Sequence, residues 1–120
     1  MFAKTVTLAF VSSALLAGSA FAQTAWVEIE DNVQVSAFNA TVDQIDDWDV
    51  YAGGEKVGEV EEVVGTEAGT ATALVVDFEG NGGFADQDMV IPLDQFAWEN
   101  NQLVLNADAA AVGSMEVWND

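Results

Sequence analysis

Short β-rich runs separated by Gly and Asn turns set the pattern of the chain. The clearest pair is Phe96-Ala97-Trp98-Glu99 and Gln102-Leu103-Val104-Leu105, joined by Asn100-Asn101. A two-residue Asn-Asn connection suits positive φ at both positions and closes a tight hairpin. Its register sets Trp98 opposite Leu103 and Phe96 opposite Leu105 on one apolar face, which makes Trp98 a core residue. Glu99 and Gln102 fall together on the other face, so both arms give the same register.

Upstream, Trp48 to Tyr51 reads as a strand ended by Ala52-Gly53-Gly54, and Lys56 to Val64 as a second. Val57 and Val60 have opposite parity, and a bulge at or near Gly58 reconciles them. After the Gly65–Gly69 loop, Thr70 to Phe78 is the most apolar strand. Leu74, Val76 and Phe78 share one face, Ala73 and Val75 the other. Such a strand is buried on both faces, so something besides the sheet covers it. The loop Gly80–Phe84 leads to Met89–Leu93, where Pro92 cannot donate to a ladder and marks an edge or strand end.

Two helical turns flank these strands. Thr41 and Gln44 fit a capping box, opening a turn with Val42 and Ile45 on one side. Asn106 caps a short helix through Val112, with Asp108 in its first turn and Gly113 closing it. Met115 to Trp118 is an extended tail. Residues 23–40 form an acidic extension with partial alternation and no assigned partner. About six short strands with brief helical turns predict a small all-β sandwich or barrel.

Composition adds the compartment. Lys4, the apolar run Val6–Gly18 and Ala20-Phe21-Ala22 make a basic n-region, an h-region and an A-x-A site. Residues 1–22 therefore read as a signal peptide, cleaved after Ala22, and the product as periplasmic or secreted. The run is too short to span a bilayer, and no Cys is present for a lipid anchor. In this setting the glycosylation pattern Asn39-Ala40-Thr41 is a chance match. Cleavage removes Lys4 and takes the formal charge from −19 to −20, leaving Lys56 as the one base against 21 acids. That balance excludes nucleic acid as a partner and disfavours anionic lipid. It leaves protein partners with basic or apolar surfaces, or divalent cations.

Catalytic chemistry is thinly supplied. The chain has no His, no Cys and no Arg. Ser36 and Ser114, the serines left after cleavage, have no imidazole to activate them. Zinc sites built from His or Cys are excluded. Carboxylate pairs and oxygen-ligand metal sites remain, and the expectation is a protein that is not an enzyme.

The run from Trp48 to Leu105 resembles the PRC-barrel family, the family of the photosynthetic reaction-centre H subunit and of the C-terminal domain of a ribosome maturation factor. The resemblance rests on Asp49-Val50-Tyr51, Gly53-Gly54-Glu55-Lys56-Val57-Gly58-Glu59-Val60 and Ala73-Leu74-Val75-Val76-Asp77. It continues through Gly82-Gly83-Phe84, Val90-Ile91-Pro92-Leu93 and Leu103-Val104-Leu105, and covers roughly residues 42–118. It implies a small, mostly antiparallel β-barrel over 41–120, with short helical turns near each end. It further implies a protein-interaction or scaffold module, with no catalytic residues to carry over. The membrane helix of the reaction-centre subunit and the basic ribosomal target of the maturation factor have no counterpart here, so the resemblance carries the fold alone.

Among candidate sites, Asp77 to Asp88 reads as a 12-residue cation loop. Asp77, Glu79 and Asp88 stand at positions 1, 3 and 12, Asn81 at 5 and Gly82 at 6, with Asp86 close by. A hard cation needs several oxygens converging round a tight turn, so calcium is the ligand this spacing suits. Flanking strands in place of helices argue against it, as does Asp at the position usually held by Glu. Asp43, Asp46, Asp47 and Asp49 form a second acidic cluster, three of them on one side of a helical turn. Glu59, Glu61 and Glu62 hold carboxylate-pair potential without a sugar cleft to use it. Trp26 and Trp118 sit near the ends of the mature chain, where indoles are hard to bury, and are candidates for an interaction surface.

Overall fold

The computed structural model describes residues 25–119, so the expected signal peptide lies outside the described residues. Ten strands run in chain order. They are β1 Val27–Glu28, β2 Gln34–Val35, β3 Ala40–Thr41, β4 Asp49–Ala52 and β5 Glu55–Gly65, then β6 Ala73–Phe78, β7 Asp88–Pro92, β8 Phe96–Glu99, β9 Gln102–Leu105 and β10 Glu116–Val117. Helix α1 spans Val42–Ile45 and α2 spans Ala109–Gly113, and a 3-10 turn occupies Leu93–Gln95.

The main sheet runs β10-β7-β6-β5-β4-β9-β8, with β1 also on β5, and β2 pairs β3 in a separate hairpin. Every pairing is antiparallel except β4 with β9. The all-β, mostly antiparallel expectation therefore holds. Closure does not: β8 and β10 end the path without pairing each other, so the backbone makes an open sheet rather than a closed barrel. Side chains do what a closing ladder would. Phe38, from the β2–β3 loop, meets Phe96 of β8 edge-on at 6.3 Å. Val42 and Ile45 of α1 and Val112 of α2 are buried in the same cluster as Val50, Leu74, Ile91 and Leu103.

Strand β5 is long enough to serve three neighbours because it bends at two bulges. Its register with β4 jumps between Val50 and Tyr51, leaving Val57 unopposed beside Gly58. Val57 and Val60 are consequently both buried, as the expected bulge requires. Gly58 answers a close approach: a Cβ there would lie 2.5 Å from the carbonyl oxygen of Asp77 on β6. A second bulge, at Glu61, interrupts the register with β6. It reverses the parity of the last part of the strand, so Val63 joins the inner core with Val60 while Val64 faces outward.

The local signals behave as the sequence implies. Thr41 and Gln44 form a complete capping box, with Val42 and Ile45 buried. Asn100 and Asn101 have φ of 51° and 62°, and the hairpin register pairs Trp98 with Leu103 and Phe96 with Leu105. Pro92 ends β7. Three points differ. Helix α2 is capped by Asp108, whose carboxylate accepts from the Ala111 amide at 2.8 Å, rather than by Asn106. Residues 23–40 are more than an extension: β1 pairs the end of β5, and Ile29, Val35 and Phe38 are core residues.

Trp98 is the third difference. Leu103 opposite it is fully buried, yet Trp98 is 39% exposed. It lies at the turn end of the hairpin, where it stacks on Trp48 with ring centroids 4.2 Å apart and planes 20° apart. Leu103→Ala should therefore cost about 2–5 kcal/mol by cavity formation. Trp98→Ala should cost about 1 kcal/mol, the scale of a surface aromatic pair. Urea denaturation of both variants checks this; equal losses would place Trp98 in the core.

Candidate functional site

The outer face of the sheet collects the acids that the sequence distributes over two segments. Asp77 of β6 and Asp88 of β7 are cross-strand partners. The bulge at Glu61 brings a third carboxylate beside them, and oxygens of Glu61, Asp77 and Asp88 lie within 4.8 Å of one another. All three residues are half-buried. Burial, followed by the charge of Asp88 and a hydrogen bond with its side chain, holds the Asp77 carboxyl above its ordinary value; Glu79 and Asp86 push the same way. Once ionised, the three carboxylates can offer converging oxygens to a hard cation. Three carboxylates are fewer than the six to eight ligands calcium takes, so water would complete the shell.

The cation loop read from the sequence is only partly assembled. Asp77 and Asp88 converge, but Glu79, Asn81 and Asp86 do not belong to the group of three. The loop after β6 instead folds inward. Phe84 is buried and stacks on Phe78 at 4.9 Å, and the Asn81 side-chain amide donates to the Lys56 carbonyl at 3.5 Å. Gly82 takes φ +66° where a Cβ would press on Val57. The loop packs Phe84 onto the core, and Glu61, a residue outside it, supplies the third carboxylate of the group. No spacing rule reaches Glu61, because its place depends on a bulge in another strand.

The remaining candidates separate. Glu59 and Asp49 both hold the Lys56 ammonium, at 3.0 and 3.3 Å, and these bonds raise its pKa, Glu59 more than Asp49. Asp46 is raised by loss of solvent and then by the charges of Asp47, Asp31 and Asp43, which places those four acids together. Trp26 and Trp118 are half-buried. They lie on an outer apolar patch of Val64, Ala73, Val75 and Val90. The Trp26 indole N–H donates to Glu116 at 3.0 Å, and the Trp118 amide donates to the Asp88 carbonyl at 2.8 Å. They supply the second cover that a strand apolar on both faces demands. The exposed indole is that of Trp98, which stacks on half-buried Trp48.

Compared with known proteins, residues 40–112 match the model of the PRC-barrel domain. No curated protein matches the chain. The matched region contains β3, α1, β4 to β9 and most of α2, but leaves out β1, β2 and β10, and with them Trp26 and Trp118.

The Asp77 carboxyl binds its proton more tightly in the folded chain than at the unfolded value of 3.8. The stability this brings is complete below 3.8 and lost as pH rises through the folded value, so ionised Asp77 is a cost at neutral pH. Asp77→Asn should melt higher than the parent at about pH 7, and the difference should shrink toward about pH 3. Melting curves followed by circular dichroism test this. A variant that melts lower at neutral pH would show that an attractive partner holds the ionised carboxylate.

Proposed function

The chain belongs to the PRC-barrel family, and we propose that it is an exported, non-enzymatic protein-interaction or scaffold module. The observation that carries this reading is the family match over 40–112 in a chain without His, Cys or Arg. The wholly apolar core agrees with it: among the described residues, no buried side chain is polar or charged. Functional chemistry is thereby left to the surface, which carries most of a −19 formal charge. A protein with basic or apolar surface is the partner this suits, and nucleic acid is disfavoured. No helix among the described residues is long and apolar enough to cross a membrane. The periplasm, or the exterior, is the compartment proposed from the leader at residues 1–22.

Two measurements test this reading. Mass spectrometry of the protein from an envelope fraction should find Gln23 at its N-terminus, and an intact chain from Met1 in the membrane would make the leader an anchor instead of a cleaved signal peptide. Immobilised mature protein should capture a defined envelope protein that elutes as salt is raised, since exposed charge contacts are screened over about 10 Å at 0.1 M. Enrichment of nothing above a charge-matched control would count against the interaction role.

A second reading is favoured by one observation, the convergence of Glu61, Asp77 and Asp88. In it the outer face binds a divalent cation. Calcium at micromolar concentration should then raise the melting temperature, and Asp77→Asn or Asp88→Asn should abolish the rise. A response that needs millimolar ion and survives in both variants is charge screening and would remove this reading.

A further inference from the structure

The Trp48–Trp98 stack belongs neither to the carboxylate group nor to the outer apolar patch. A hairpin residue opposite a fully buried leucine is expected to be covered, yet Trp98 is among the few large apolar side chains left exposed among the described residues. The stack is also held in place. Trp48 carries Trp98 on one side and meets Phe38 edge-on at 6.2 Å, and its carbonyl accepts from the Val60 amide at 2.8 Å. A depression lies on either side of the two indoles. One is lined by Asn39 and Gln44, the other by Asp49, Tyr51, Asn100 and Gln102. An exposed, pre-positioned aromatic surface among hydrogen-bonding side chains has the make-up of a recognition site.

We propose that the Trp48–Trp98 stack is the docking point for arginine side chains on a basic segment of a partner protein. The proposal rests on the interaction-module reading and gives that reading a location. Charge selects the occupant. The flanking residues Asp47 and Asp49 are acidic, Asp49 lines the depression beside the indoles, and Asp46 lies in a group with Asp31, Asp43 and Asp47. Lys56 is the one basic residue among those described, and Asp49 and Glu59 already hold it. The surface round the stack therefore carries an excess of acid even with Asp49 paired to Lys56, and anionic ligands are repelled. A cation is attracted by the indole face, Trp being the strongest of the aromatic rings in this respect. Arginine suits the site better than lysine. Its planar guanidinium stacks on indole, is more weakly hydrated than an ammonium, and carries five donors for carboxamide and carboxylate oxygens.

The test is calorimetric and fluorescence titration of the purified protein at about 0.15 M salt, with an oligo-arginine peptide, an oligo-lysine peptide of equal length and a neutral peptide. The arginine peptide should bind more tightly than the lysine peptide and quench tryptophan emission. Trp98→Ala should weaken arginine binding by about five- to thirty-fold, the scale of a cation–π contact. Trp98→Phe, which keeps a ring and guards against a folding defect, should weaken it less. Glu67→Gln, in the β5–β6 loop, should leave it unchanged, which separates a site from a diffuse field. If both cationic peptides bind and Trp98→Ala binds them as the parent does, the site is wrong while the basic-partner reading stands. If the parent binds neither peptide, both fall. Equal binding of the neutral peptide would show an apolar surface without cation recognition and would also overturn the proposal.

Discussion

Strand β6 must be kept from water on both faces, and the rest of the fold is arranged around that requirement. Leu74, Val76 and Phe78 point into the main core, while Ala73 and Val75 point the other way, and all five are fully buried. One curved sheet with two small helices satisfies the first face. The second lies on the convex side, where Val64 and Val90 extend the patch and Trp26 and Trp118 cover it. A Trp buries about 150–250 Å² when fully covered, so half-covering each is worth about 2–3 kcal/mol at 25 cal/mol per Å². That is a large share of a small domain's net stability. Both tryptophans lie outside the residues matched to the family. The terminal segments thus cover the outer face of β6 from outside the matched region.

The same requirement explains where the carboxylates meet. With β6 packed on both sides, β5 has to present valines inward at 57, 60 and 63 and outward at 64, which no regular strand can do. Bulges at Val57 and Glu61 resolve the conflict. The residue displaced at the second bulge is Glu61, and it lands beside Asp77 and Asp88 where the outer apolar patch ends. The carboxylate group is therefore a consequence of how the core is packed. Burial first, and then the charge of Asp88, raises the Asp77 carboxyl, so the site carries a standing cost that a proton relieves and a bound cation would relieve as well.

What was legible in the sequence was local or set by parity. The Asn100-Asn101 hairpin, the Thr41–Gln44 box, the bulge near Gly58 and the double burial of β6 each follow from a few adjacent residues. The features that were not legible depended on distant chain. Nothing near Trp98 says that Trp48 will be its partner or that the hairpin tip extends past the core. Nothing in 23–40 says that Val27 will pair Gly65 or that Phe38 will reach Phe96. The choice of Asp108 over Asn106 as helix cap was a shift of two residues, decided by where β9 ends and by the Asn106 amide bonding to Gln95. Of the cation loop, the two ends were legible because cross-strand pairing joins them. Between those ends Phe84 turns into the core and stacks on Phe78, a packing choice that the ligand spacing does not encode.

Charge couples the fold to whatever it binds. Lys56 bridges Asp49 on β4 and Glu59 on β5 close to the point where their register slips. Each bridge is about 40% exposed and contributes little on its own. The other acids, with two bases in the chain against 21 acids, repel one another in the folded chain more than in the expanded one. Any cationic ligand that binds the folded surface removes part of that repulsion in addition to making its own contacts, so by linkage it must stabilise the fold. Recognition of a basic partner and stability are then one equilibrium. At the proposed site the aromatic stack would decide which cation is held, while the surrounding carboxylates would decide only that it is a cation. Substitutions of Trp98 should accordingly change selectivity at nearly constant salt dependence, and neutralising the surrounding aspartates should do the reverse.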